Sequence, residues 1–176
     1  MSISGRCAGA VRYPWRCDGG SPRVPDGSVR YTSGMYTYPF PRPALTADVV
    51  AVRGGAGAYE VLLIERGHGP FKGQWALPGG FVDEYEQAEG AARRELAEET
   101  GITWTGDLTL LGVFGKRGRD PRGWTVATAF LARLADDDVQ VRAGDDAADA
   151  RWFPIDALPP VAFDHDEVIA VARGLL

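Results

Sequence analysis

Three glutamates spaced to share one side of a helix are the residues in this chain best suited to chemistry. Glu95, Glu98 and Glu99 lie in the string Arg94-Glu95-Leu96-Ala97-Glu98-Glu99-Thr100-Gly101-Ile102. At about 100° per residue, Glu99 falls about +40° and Glu98 about −60° from Glu95, so the carboxylates crowd one arc of about 100°. Like charges within a turn weaken a helix by roughly 0.2–0.5 kcal/mol per pair. Glu98 and Glu99 also sit at the end of the helix where the dipole disfavours anions. Between Tyr85 and Thr100 the only cations are Arg93 and Arg94. A divalent cation resolves the conflict, because hard carboxylate oxygens suit Mg2+ or Mn2+. A solvated acidic face is the competing reading for a lone Glu-x-x-Glu-Glu, and the residues around this one argue against it.

Those residues are the elements that must hold the carboxylates. A helix is expected over Tyr85–Thr100, with Ala88, Ala92 and Leu96 as a narrow apolar stripe that packs on a sheet. Gly101 stands where a left-handed closing residue ends a helix, and Ile102 can fold back as its hydrophobic contact. Upstream, the pair Gly79-Gly80 lets backbone carbonyls approach a metal closely.

From Gly80 to Ile102 the chain matches every fixed position of G-x5-E-x7-R-E-U-x-E-E-x-G-U, nine specified positions over 23 residues. It resembles the Nudix hydrolases, of which this string is the signature box. The resemblance implies an α/β fold, an α/β/α sandwich with a mixed β-sheet between helices. It also implies metal-dependent hydrolysis of a nucleoside diphosphate linked to another group. By position, Glu95, Glu98 and Glu99 look like the metal ligands, joined by a carbonyl of Gly79 or Gly80. Glu98 and Glu99 also count among the catalytic candidates, and Glu86 and Arg94 look like the pair that braces loop and helix. Three positions depart from the usual pattern: Tyr85 where Gly is usual, Gln87 where a Ser-type N-cap is usual, and Gly90 inside the helix. These soften the first turn without removing a catalytic group.

The 176 residues, 45% of them apolar, are expected to form one soluble domain with a single core. There is no run of 18 apolar residues and no signal-like apolar stretch at the N-terminus, so no membrane partner and a cytoplasmic setting are expected. Cys7 and Cys17 are open to a disulfide or to no role; a zinc site would need further ligands. Charge is uneven: residues 1–45 carry six Arg against two Asp, a net +4, and the remainder 13 basic against 22 acidic groups, a net −9. An acidic domain repels a nucleic acid backbone, so no nucleic acid partner is expected. A small anionic substrate would be drawn in by bound cations and local arginines.

Along the chain, residues 1–34 are rich in Gly, Pro, Ser and Arg without periodicity, which predicts a disordered extension. Residues 35–176 form the hydrolase domain, and the segment opened by Met35 resembles the start of related hydrolases. Leu45–Val52 and Tyr59–Ile64 read as a strand pair across a glycine turn. Trp75 and Leu77 suggest a short strand, Leu108–Phe114 and Thr125–Ala132 two longer ones, and Ala150–Pro154 another. His68 and His165 read as surface residues. The acidic run 136–138 reads as a solvated turn. Asp164 and Glu167 match a capping box opening a last helix, with Val168, Val171, Ala172 and Leu175 as its buried stripe.

The segments around Gly118-Arg119-Asp120-Pro121-Arg122, Gly144-Asp145-Asp146-Ala147, Arg151-Trp152-Phe153-Pro154 and Ala162-Phe163-Asp164-His165 resemble the bacterial ADP-ribose pyrophosphatase branch. The implied reaction is ADP-ribose plus water giving AMP and ribose 5-phosphate, with Mg2+ as cofactor and Mn2+ as the alternative. Bound cations would neutralise the diphosphate and acidify the attacking water. The basic segment 115–123 offers Arg117, Arg119 and Arg122 to clamp phosphate. Asp145 and Asp146, beside the flexible Gly144, are candidates for the general base, with Asp146 slightly favoured and a solvated turn as the rival reading. A nucleoside triphosphate sanitiser is the alternative activity, and an ADP-ribose-sensing domain the non-catalytic one. Such sensors usually carry a DNA-binding domain and a damaged box, and this chain shows neither. Relatives of this family are often homodimers, and a homodimer is expected here.

Overall fold

The computed structural model describes residues 30–31, 34–35, 41–55, 57–134, 141–142 and 147–176. Residues 1–43 and 44–176 form separate compact units. In the first, β1 (Arg30–Tyr31) pairs antiparallel with β2 (Gly34–Met35). The rest of the expected extension lies outside the described residues, with Cys7, Cys17, the acidic run 136–138, Gly144, Asp145 and Asp146.

The second unit is a mixed sheet between two helices. Its strands are β3 (Ala44–Gly55), β4 (Ala58–Arg66), β5 (Trp75–Ala76), β6 (Gly79–Phe81), β7 (Leu108–Phe114), β8 (Thr125–Arg133) and β9 (Ala147–Pro154). The helices are α1 (Ala88–Thr100) and α2 (His165–Arg173). The path through the sheet runs β5-β4-β3-β8-β7, with β6 on β3 and β9 on β4. Among the pairings of the described strands, only β3–β8 is parallel, and an isolated parallel bridge joins Trp75 to Val161.

Strand alternation divides the core in two. On one face Ala47, Val49, Ala51, Leu62, Phe130 and Ala132 pack against Ala91, Ala92 and Leu96 of α1. On the other, Val50, Val52, Val61, Leu63, Ala129 and Leu131 pack against Val168, Ile169 and Ala172 of α2. The β3–β4 hairpin is paired only from Val52–Val61 to Gly55–Ala58. Beyond that the two strands part, and the segment Trp75–Phe81 enters the fork. Its β5 end pairs with Ile64 and Glu65 of β4, and its β6 end with Thr46–Asp48 of β3. The glycine pair is thereby fixed as sheet, although two adjacent glycines carry no strand signal of their own.

Several local expectations are corrected. α1 starts at Ala88, not Tyr85, with Gln87 in an extended N-cap that makes no side-chain cap bond. Tyr85 adopts φ +64° where glycine would be at ease, and its side chain is exposed. Gly101 closes α1 at φ +76°, donating to the Ala97 carbonyl, and Ile102 is buried. α2 has no capping box: Asp164 makes no cap bond, and Glu167 reaches Lys116 at 2.9 Å. Its buried stripe is Val168, Ile169 and Ala172, while Val171 and Leu175 are exposed. His165 is buried, not on the surface. No helix among the described residues is long and apolar enough to cross a membrane.

Candidate active site

The last two turns of α1 lie against the glycine strand. The Gly79 N–H donates to Glu99 Oε2 at 2.9 Å. A methyl group on Gly80 would overlap the Glu95 carboxylate, so that carboxylate rests directly on the backbone. A methyl on Gly79 would meet Asp48 Oδ1 and the Ala47 carbonyl. Both glycines are therefore required by close approach, and any larger residue would displace a carboxylate or the sheet pairing.

Arg94 runs along the outer side of this arrangement. Its Nε and Nη2 donate to Glu86 at 3.0 and 2.8 Å, and Nη2 also donates to the Phe81 carbonyl. Nη1 reaches Glu95 Oε1 at 2.7 Å and Glu98 Oε2 at 3.2 Å. One guanidinium thus ties the loop, the end of β6 and two box carboxylates together. The hydrogen bonds from Arg94 hold Glu86 below the usual carboxylate range.

Burial raises both inner carboxylates above their usual values. Burial pushes Glu99 up to about 8, against the opposing Gly79 N–H, with Glu95 adding to the rise. Burial also raises Glu95, although Arg94 counteracts it. Glu98 differs: its side chain is 59% exposed. Among the described residues no three His, Cys, Asp or Glu side chains already converge as a metal cage. The donor set nevertheless fits a hard divalent cation. Two carboxylates lie against the backbone of β6, a third stands within one turn, and burial raises the inner two above their usual values.

Behind the glycine strand lies a buried polar group with no counterpart in the sequence expectations. Asp48 of β3 is 5% exposed, and its Oδ2 has no hydrogen-bond partner. Burial pushes its carboxyl up to about 7, although the nearby Arg119 pulls the other way. Arg119 Nη2 and His165 Nε2 stand 3.8 and 3.9 Å from Asp48 Oδ2. His165 Nδ1 accepts the Leu77 N–H at 2.8 Å, so the imidazole carries its proton on Nε2. Burial and Arg119 push that imidazole down to about 3, which keeps it neutral.

The three arginines expected to clamp phosphate are placed very differently. Arg119 is buried and donates through Nε and Nη2 to both oxygens of Asp164, at 2.9 and 2.7 Å. Burial alone would lower it; Asp164 and Asp48 outweigh that and hold it above its usual value. Arg119 accordingly ties the 115–123 loop to Asp164, the residue that precedes α2. Arg117 is exposed. Arg122 is half-buried, bound to Asp120 at 2.9–3.1 Å and lying over the rings of Phe81 and Phe163 at 5.0 and 5.6 Å. Of the three it is the one beside β6. The chain enters β9 at Ala147, which pairs with Arg66.

The sequence reading gave no site role to Asp48, Arg66 or Phe163, although Phe163 stood in a segment that carried the branch resemblance. Asp48 had a signal, as the single acid in an otherwise apolar strand. Arg66 had none, since only the fold brings it to Phe163.

The comparisons agree with this geometry. The NUDIX domain model matches residues 42–172. An ADP-ribose pyrophosphatase of Methanocaldococcus jannaschii is 40% identical over 127 residues, covering 72% of this chain and 71% of that protein. An ADPR-responsive transcriptional repressor, NtrR of Acinetobacter baylyi, is 34% identical over 141 residues, 78% of this chain but 56% of the repressor. Among solved structures, the NUDIX domain of Shewanella oneidensis NrtR complexed with ADP ribose superposes with a TM-score of 0.67 at 34% identity. That match covers 77% of this chain and 90% of the other. A box-bearing helix packed on a glycine strand, within a mixed sheet flanked by two helices, and a domain match across residues 42–172 together make this chain a member of the Nudix family of pyrophosphohydrolases.

Proposed function

We propose that this chain hydrolyses the diphosphate of ADP-ribose to AMP and ribose 5-phosphate with Mg2+, or alternatively Mn2+, as cofactor. The observation that carries the hydrolytic part is the pair Glu95 and Glu99, set against the Gly79–Gly80 backbone and raised by burial. The substrate assignment is supported by likeness to a pyrophosphatase and to a domain that binds ADP ribose.

Glu95, Glu98, Glu99 and a carbonyl of Gly79 or Gly80 would hold the cation. When bound, it supplies charge neutralisation at the diphosphate and a lowered pKa for the attacking water. The chain's own work is positional. Gly79 N–H fixes one oxygen of Glu99, and Arg94 fixes Glu95 against β6. Arg122, which lies over Phe81 and Phe163, would meet phosphate oxygens. Asp146 or Asp145 remains the proposed acceptor of the water proton. The working form is proposed as a cytoplasmic homodimer acting on a small nucleotide, without nucleic acid or membrane partners.

A second reading has a specific observation behind it. The similar repressor and the ADP ribose-bound domain make a ligand sensor the alternative. All three box glutamates are present, which favours hydrolysis. One assay separates the two: purified chain with Mg2+, and with chelator, against ADP-ribose, NADH, diadenosine polyphosphates and 8-oxo-dGTP. Highest Mg2+-dependent kcat/KM on ADP-ribose is expected. A higher value on another compound rejects the substrate, and tight ADP-ribose binding without turnover selects the sensor.

A further inference from the structure

Leu77 and Pro78 form the joint between β5 and β6. Proline brings no backbone donor, so Leu77 supplies the one N–H of this joint, and Leu77 is buried. That N–H donates to His165 Nδ1 at 2.8 Å. The Pro78 carbonyl accepts from the Val49 N–H at 2.8 Å. The next N–H, of Gly79, donates to Glu99 Oε2 at 2.9 Å. One short stretch of backbone is therefore held by a side chain from each helix. His165 opens α2, and Glu99 stands in the last turn of α1.

His165 is itself fixed by its surroundings. Its Nε2 faces Asp48 Oδ2 at 3.9 Å, and its ring lies 5.2 Å from that of Phe163. Asp164, the residue before it, accepts two hydrogen bonds from Arg119 at 2.9 and 2.7 Å. Asp48 Oδ1 in turn lies against Gly79, where a methyl group would overlap it. Burial and Arg119 push the imidazole down to about 3, so Nδ1 stays an acceptor at every pH at which the protein would be assayed. We propose that His165 is a positioning residue for the metal-dependent hydrolysis, holding the Leu77–Gly79 backbone so that the Gly79 N–H orients Glu99. This deepens the proposed function and rests on its reading of Glu99 as a cation ligand. The Gly79 N–H fixes one oxygen of Glu99 and leaves the other to the cation, and partners of this outer kind tune how well a ligand binds. A histidine that merely packed α2 on the sheet would leave cation affinity untouched.

The test uses the full chain and two readouts besides turnover. Amide exchange at Gly79, followed by NMR without metal and compared with the amides of β8, reports the hold on this backbone apart from global opening. Calorimetry without substrate reports Mg2+ affinity. His165→Leu should speed Gly79 exchange by about tenfold or more relative to β8, and weaken Mg2+ binding about tenfold. In turnover, the Mg2+ concentration giving half the maximal rate should rise, while KM for ADP-ribose at saturating Mg2+ stays within about twofold. His165→Asn keeps an acceptor at the same branch and should bring both readouts to within about threefold of wild type. Val61→Ala serves as control, because Val61 is buried in the same core but sits in the paired part of the β3–β4 hairpin; it should lose stability and leave both readouts unchanged. Should His165→Leu fail to fold, Arg119→Lys keeps the charge, loses the fork on Asp164, and must still speed Gly79 exchange several-fold. Unchanged Gly79 exchange and Mg2+ affinity in folded His165→Leu overturn the proposal, as does an equal loss in Val61→Ala or no recovery in His165→Asn. Faster Gly79 exchange in His165→Leu, with Mg2+ bound at wild-type affinity by both His165→Leu and Glu99→Gln, would sink Glu99 as a ligand and leave the hold of His165 on this backbone standing.

Discussion

Replacing Glu99 by Gln should stabilise the metal-free protein while destroying its activity, and the size of the gain should depend on pH. Gln keeps a carbonyl oxygen to accept the Gly79 N–H and removes the charge that burial disfavours. The carboxyl moves from an ordinary 4.5 to about 8 in the folded chain. Folded protein therefore binds more protons than unfolded protein between those two values. Stability falls as pH rises through that window; the penalty is absent below the lower value and complete above the upper. At pH 7 the group costs on the order of 3 kcal/mol. That is an upper bound, because Glu99 keeps some contact with water. For a domain of this size the variant should melt about 5–10 °C higher near pH 8, and close to wild type near pH 5. Asp48 and Glu95 are coupled to Glu99, so the difference between the two proteins includes the relief of that repulsion. Adding Mg2+ should raise the melting temperature of wild type and leave the variant nearly unmoved. Thermal melts at three pH values, with and without Mg2+, are the assay. A variant that melts no higher than wild type near pH 8, or that retains Mg2+-dependent turnover, refutes the reasoning.

Glu98→Gln should lose turnover by orders of magnitude without the stability gain, since its side chain is 59% exposed; a large rise in melting temperature would contradict its placement. Asp146→Asn, or failing that Asp145→Asn, should lower kcat by about 10²–10⁴ with KM little changed. Near-normal kcat in both would return the base to the box glutamates. His165→Leu should cost about 1–3 kcal/mol by leaving the Leu77 N–H buried and unpaired. His165→Asn, which keeps an acceptor at the same branch, should recover most of that in denaturant melts. Gly90→Ala should add about 0.5–1 kcal/mol, because the added methyl meets only Glu86 Cγ at 3.7 Å on an exposed helix face; unchanged or lower stability would show a conflict there.

The fold was legible wherever one residue pattern decided one element. Leu45–Val52 and Tyr59–Ile64 read as strands because their apolar β-branched runs face two cores, and they became β3 and β4, each extended by a few residues. Gly101 announced the end of α1 because only glycine takes φ +76° at little cost. Elements fixed by tertiary contact were invisible. Gly79–Phe81 has no strand pattern and becomes β6 only because β3 and β4 part and leave donors and acceptors to fill. Asp164 and Glu167 satisfied a local capping rule and were drawn elsewhere. A buried guanidinium competes better for the Asp164 carboxylate than exposed backbone N–H groups do.

The same division explains the candidate site. Glu95, Glu98 and Glu99 were readable because helical period alone puts them on one arc. Their unequal surroundings were not: a single arginine and a glycine strand make Glu95 and Glu99 inner groups and leave Glu98 outside. The arginines of the 115–123 loop look interchangeable in sequence, yet one is consumed by Asp164 and another rests on Phe81 and Phe163. Phe163 and Arg66 are 97 positions apart and carry no shared motif. They meet because β5 pairs with the end of β4 while the Ala162 N–H donates to the Trp75 carbonyl, bringing the residues before α2 to the same edge. The carboxylate half of the site is thus written in local spacing. The contact of Arg66 with Phe163 is assembled by the sheet, so variants that loosen the Trp75–Ala162 contact should disturb it before they disturb the box.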